Sequence, residues 1–98
     1  MTRKARHVKP QGLVRGLQRG LQVLRVLNEK NYASVLEINR ATGLPRTTIY
    51  RLLDTLIDAG YVKFGNREEG YCLTVQVRTL SEGYTAEAWL TAIAEPVI

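Results

Sequence analysis

The sequence predicts a mostly α-helical fold with one small β-unit, and three observations carry that prediction. Between Ser34 and Tyr61, two runs of helical apolar spacing are separated by Gly43-Leu44-Pro45. Directly after Gly60 the spacing changes to alternation, Tyr61-Val62-Lys63-Phe64 and then Tyr71-Cys72-Leu73-Thr74, around a turn-rich loop. Helical spacing returns on both sides, from Leu13 to Lys30 and from Thr74 to Gly83.

The first helix is predicted over Leu13–Lys30, with Gly16 as its N-cap. Its expected inward stripe is Leu17, Leu21, Leu24 and Leu27 or Asn28, broadened by Val23 and Val26. Gly20 in a helix interior costs about 1 kcal/mol relative to Ala, so close packing against another backbone is expected there. Arg15, Arg19 and Arg25 stand off the stripe, and Arg19 is placed to reach an anion. Ala33-Ser34 is short enough to be a third strand pairing with the later hairpin.

Ser34 opens the second helix as N-cap, and Glu37 three residues on completes a capping box, satisfying two otherwise unpaired N–H groups. Val35, Ile38 and Ala41-Thr42 are expected inside, joined by Leu44. Gly43 supplies the positive φ of a tight turn, and Pro45 suits the first position of the next helix. That helix, Arg46–Ala59, has Ile49, Leu52, Leu53, Leu56 and Ile57 on its back. Arg46, Thr47, Tyr50, Arg51 and Asp54 lie on its front, and Gly60 ends it. Two helices about a tight turn, then a hairpin, make a winged helix-turn-helix followed by linker helices.

In the wing, Lys63, Asn66 and Arg67 are candidates for phosphate contact, opposed by Glu68 and Glu69. Cys72 is expected to pack beneath it as a small apolar residue. Ala86 to Pro96 reads as a further helix, whose Trp89 would pack against a second subunit or a further domain.

Charge separates the chain into halves. Residues 1–51 hold eleven Lys/Arg against two Asp/Glu, net +9; residues 52–98 hold three against seven, net −4, together the overall +5. Residues 1–12 alone carry four basic residues and no acid, a basic arm expected to be flexible. Basic charge thus collects around the helix-turn-helix, where a polyanion would be met. A winged helix used for protein–protein contact is the competing reading, and the two arginines on the front of the second turn helix argue against it. No catalytic set points to an enzyme. There is no Ser/His/Asp group, no metal-ligand cluster and no phosphate-cradling glycine loop, and the single His7 lies in the arm. No cofactor and no metal is expected. A lone cysteine, with no apolar run near the ~20 residues that span a bilayer, fits a reducing cytoplasm.

The joined pattern resembles the N-terminal domain of the IclR family of bacterial transcriptional regulators. The residues that carry the resemblance are Leu17-Gln18-Arg19-Gly20-Leu21, Ser34-x-x-Glu37-Ile38, the run Thr42 to Leu53, Leu56, Gly60-Tyr61-Val62 and Tyr71-x-Leu73. Val14–Leu21 and Leu73–Gly83 resemble more narrowly the branch that regulates breakdown of aromatic acids such as hydroxyphenylpropionate. The resemblance implies binding of palindromic operators in double-stranded DNA by homodimers or dimers of dimers. It also implies residues 74–98 as linker and dimerisation helices, leading to an effector-binding domain outside this sequence. The family's recognition-helix basic residue falls on Arg51, its hydroxyl on Thr48 and its first-helix arginine on Arg19. Two positions depart from the pattern: Asn39 stands where Ala is common, and Gly16 where a capping Ser is common.

From these residues, Arg46, Thr47, Thr48, Tyr50 and Arg51 are expected to face the major groove. Arg46 is best placed for a base edge, Arg51 is a phosphate clamp or a second base reader, and Arg19, Lys63 and Arg67 are phosphate contacts.

Overall fold

Val23, Leu27, Ala33, Ile38, Ile49, Leu53 and Val62 are the most deeply buried apolar side chains, and they come from every element ahead of the second wing strand. The computed structural model describes residues 12–66 and 68–84. Helix α1 (Arg15–Lys30), α2 (Val35–Thr42) and α3 (Arg46–Asp58) precede strands β1 (Val62–Phe64) and β2 (Tyr71–Leu73), and a single turn, α4 (Gln76–Thr79), follows. The strands pair antiparallel with Val62 opposite Leu73, Lys63 opposite Cys72 and Phe64 opposite Tyr71. Ala33 adds the expected third strand as one bridge, exchanging hydrogen bonds of 3.0 and 2.8 Å with Tyr71. The basic arm (apart from Gly12), His7, Arg67 and the helix expected at Ala86–Pro96 with Trp89 lie outside the described residues.

The start of α1 differs from expectation. Its N-cap is Val14, without a side-chain cap, and Gly16 lies inside the first turn. The stripe is also rotated. Gly20, Val23, Val26 and Leu27 are buried, whereas Leu17 and Leu21 are 63% and 53% exposed. The two rows sit roughly 100° apart on the helix, so α1 has two apolar faces and spends only one on this core. Gly20 is buried, yet a Cβ built on it would meet no heavy atom beyond its own helix backbone within 4 Å. Close backbone packing therefore does not account for it.

Around the turn the local chemistry is as the residues dictate. Ser34 Oγ accepts from the Glu37 N–H at 3.1 Å and Glu37 accepts from the Ser34 N–H at 2.8 Å, completing the capping box. Gly43 takes φ 78°, a left-handed conformation that L side chains rarely adopt. Ala41 proves exposed, because α2 turns only Val35 and Ile38 fully inward. Pro45 is the N-cap rather than the first helical residue, with ψ 148° still extended. At the far end of α3, Gly60 donates to the Ile57 carbonyl and Tyr61 to that of Leu56, a Schellman closure around φ 92°. Ile57 stands at the rim of the core and is exposed.

Beyond the wing, the helix expected over Thr74–Gly83 shortens to Gln76–Thr79 flanked by turns. Thr74 Oγ1 donates to the Gly60 carbonyl at 2.6 Å and accepts from the Gln76 N–H, tying the start of this segment to the end of α3. The Thr74 N–H donates to the Tyr61 carbonyl at 3.0 Å, turns on either side of α4 close through i→i+3 bonds, and Val75 and Leu80 are exposed. A short helix that buries only Val77, and that in part, has little to extend it.

Candidate nucleic-acid interface

Because α3 buries Ile49 and Leu53 fully and Leu52 and Leu56 in part, its opposite side faces solvent. At about 100° per residue, Thr47 and Arg51 fall near the middle of that side. Arg46 and Tyr50 fall on the flank toward the wing, and Thr48 and Thr55 on the flank toward α1. Arg46, Thr47, Tyr50 and Arg51 are all exposed and Thr48 is half-buried. Asp54 shares the front, so the strongly basic part is its N-terminal half.

On the α1 side, Arg19, Thr48 and Arg51 come together with Gly16, Leu52 and Thr55 around a groove of about 300 Å³. Arg19 gets there because it falls at the edge of the buried row of α1, on the side that meets α3; it is half-buried, unlike Arg15 and Arg25. Thr55 Oγ1 donates to the Arg51 carbonyl at 2.9 Å. Thr55 was not anticipated from the sequence, although Thr48, Arg51 and Thr55 share the i, i+3, i+7 row that would have found it.

The helix ends add to the field. Neither α1 nor α3 has a side-chain N-cap or an acidic residue in its first turn, whereas α2 has both. Among the described residues, the partial positive charge at the starts of α1 and α3 is thus met by no acid or side-chain cap of the same helix.

Lys63 is not brought to this surface. It projects from the opposite face of the hairpin to Phe64, beside a hollow formed with Leu27, Asn31, Tyr32 and Cys72. Cys72 is buried there, as expected of a small apolar residue. Phe64 and Tyr71, one register pair, meet in a tilted contact, 4.8 Å between ring centroids and 55° between planes. Burial raises the Tyr71 phenol above its ordinary value of 10.0, and Tyr50 and Asp54 push the same way. Among the described residues there is no group of three or more His, Cys, Asp or Glu able to hold a metal. No helix among them is long and apolar enough to cross a membrane.

Asn39, the departure from the expected small residue, has a definite task. Its side-chain amide donates to the Leu44 carbonyl at 2.7 Å, across the turn that orients α3.

Comparison with known proteins places this geometry in a family. The chain is 31% identical over 85 residues to the HTH-type transcriptional regulator TsaQ1/TsaQ2 of Comamonas testosteroni, covering 87% of this chain and 31% of that protein. It is 28% identical over 88 residues to the transcriptional repressor IclR of Escherichia coli, covering 89% of this chain and 32% of the repressor. The chain thus spans about a third of the length of these relatives. The crystal structure of an IclR family transcriptional regulator from Brucella abortus superposes with a TM-score of 0.72 at 29% identity, over 91% of this chain and 34% of the other. Residues 16–64, from the first turn of α1 to the end of β1, match the IclR helix-turn-helix domain, and the chain belongs to the IclR family.

Proposed function

We propose that this chain binds double-stranded DNA as the reading domain of a transcriptional regulator, with α3 in the major groove. The observation that carries the proposal is the pairing of an exposed α3 front, Arg46, Thr47 and Arg51, with the Arg19–Thr48–Arg51 groove beside it. A helix front that reads base edges needs phosphate contacts at its margin to fix register, and the groove supplies cations and a hydroxyl there. Arg46, at the first helical position, reaches furthest toward a base edge, where a bidentate contact to guanine discriminates by about 1–3 kcal/mol. Thr47 suits a thymine methyl or a phosphate. The names of the relatives support a role in transcription: TsaQ1/TsaQ2 is called a transcriptional regulator and IclR a transcriptional repressor.

The active unit in this proposal is a homodimer on a palindromic operator. Leu17 and Leu21 form the unspent apolar face of α1, and Leu21 and Leu24 continue it into a groove with Leu73 and Val77. A second copy meeting that face would set two recognition helices on one side of a duplex. A small-molecule effector would act through the part of such a regulator that this chain does not include.

A mobility-shift titration of the 98-residue chain with random-sequence duplex at low salt tests the binding itself. Retardation that weakens steeply as salt rises is expected. No shift at any salt would leave the protein–protein reading in its place.

A further inference from the structure

The peptide that joins Leu44 to Pro45 is the last one before α3, and it has no N–H, because Pro45 carries none. Its only hydrogen-bonding group is the Leu44 carbonyl, and the Asn39 side-chain amide donates to that carbonyl at 2.7 Å. The two peptides before it are held as well. The Leu44 N–H donates to Thr42 Oγ1 at 3.1 Å, and the Gly43 N–H to the Asn39 carbonyl at 2.7 Å. Pro45 has φ −62° and ψ 148°, and its own carbonyl takes the first bond of α3, from the Ile49 N–H at 3.0 Å. With that φ locked by the ring and the peptide planar, any tilt of the Leu44–Pro45 plane carries over to the start of α3.

The consequence falls unevenly along the helix. Arg46 follows Pro45 directly, two positions from the clamped carbonyl, and is exposed. Thr48 and Arg51 lie further along, where they share the groove with Gly16 and Arg19 of α1. Ile49 and Leu53 anchor that part of α3 in the core. A tilt at the turn therefore displaces Arg46 first, while α1 and the core hold the groove. A bidentate contact to a base edge depends on angle as well as distance, whereas attraction to a phosphate depends mainly on charge. We infer that Asn39 is a positioning residue for discrimination between DNA sequences: it aims Arg46 through the Leu44 carbonyl and leaves phosphate affinity alone. This rests on the DNA-binding reading above, and adds to it a residue of α2, outside the helix that reads.

The test compares the full chain as wild type, Asn39→Ala, Thr42→Val and Val26→Ala at a temperature where each is folded. Binding is measured to a duplex retained by the wild type from a randomised pool and to a scrambled one. Asn39→Ala is expected to lower the preference for the retained duplex about fivefold or more, the low end of what one bidentate base contact discriminates. Its affinity for the scrambled duplex and its salt slope should match the wild type. Thr42→Val, which breaks the neighbouring bond of the same turn, should give the same pattern. Val26→Ala cuts a buried side chain of α1 instead; it should lower the melting midpoint yet keep the preference. A preference that survives in Asn39→Ala, or in Thr42→Val should the first not fold, would overturn the inference and leave DNA binding standing. An equal loss of preference in Val26→Ala would do the same, by making discrimination a matter of stability alone. Failure of the wild type to retain any duplex would overturn the DNA-binding reading and this inference with it.

Discussion

The Asn39 side-chain amide holds the Leu44 carbonyl at 2.7 Å, while the Leu44 N–H is held by Thr42 Oγ1 at 3.1 Å. Both backbone groups of the residue that precedes Pro45 are therefore fixed by side chains of α2, and the Leu44 side chain is buried below them. Thr42 completes the arrangement by donating to the Ile38 carbonyl at 2.8 Å. The direction in which α3 leaves the turn is set by these bonds as much as by Gly43. Asn39→Ala should cost about 1 kcal/mol, the net worth of one hydrogen bond, and lower the melting temperature by roughly 4–8 °C. Asn39→Asp should cost more, because it sets one acceptor against another. Thermal unfolding followed by circular dichroism reads both, and unchanged midpoints would show the bond to be incidental.

Glycines in this domain divide into those held by a positive φ or a close backbone, and those, Gly16, Gly20 and Gly83, where a Cβ meets open space at an ordinary φ. At Gly20 a Cβ meets open space in a helical conformation, so Gly20→Ala should stabilise by up to about 1 kcal/mol. At Gly70 a Cβ would sit 3.2 Å from the Ala33 nitrogen and 3.3 Å from its oxygen, the atoms that bridge to Tyr71. Gly70→Ala should loosen the hairpin from the α1–α2 connection and lower the midpoint. The same unfolding experiment measures the opposite signs.

Tyr71 gives the fold a dependence on alkaline pH. Its folded-state value is raised, so the neutral phenol is favoured by folding and the increment is fully present below pH 10. As pH rises past the unfolded value of 10.0 and through the folded one, the unfolded chain ionises first and stability falls. Tyr71→Phe should remove that part of the fall. Denaturant midpoints of the wild type and the variant, compared at pH 8 and pH 11, read the difference directly.

The unspent face of α1 predicts self-association. Leu21 is more than half exposed and lines the apolar groove with Leu24, Leu73 and Val77. Leu21→Lys should leave the fold intact and shift sedimentation toward a monomer, with binding to a palindromic duplex weakened more than binding to a single half-site. A wild type that sediments as a monomer at high concentration would contradict the proposed dimer.

Much of this was legible in the chain because local chemistry decided it. The capping box at Ser34, the left-handed Gly43, the Gly60 closure and the alternation of the wing strands each depend on residues within a few positions. The phase of α1 was not legible. Its apolar residues cover two faces, and the choice between them belongs to α2, α3 and β2 rather than to the helix. The same cause hid the partners of Arg19, which lies at the edge of a row whose position was misread. Thr74–Gly83 carries a helical pattern, but Val75 and Leu80 are exposed among the described residues, and only one turn forms. Of the candidate site, Arg19, Thr48 and Arg51 are gathered in one groove, Arg46, Thr47 and Tyr50 are displayed on α3, and Lys63 faces elsewhere.

The central claim is that the start of α3 reads sequence while Arg19 supplies sequence-blind affinity. It is tested most directly by salt-titrated binding of the wild type, Arg46→Ala and Arg19→Ala to a retained duplex and to a scrambled one. Arg46→Ala should lose about 1–3 kcal/mol on the retained duplex and little beyond one phosphate contact on the scrambled one, collapsing the preference. Arg19→Ala should weaken both alike and reduce the salt slope by about one. Equal losses on both duplexes for Arg46→Ala would contradict the account.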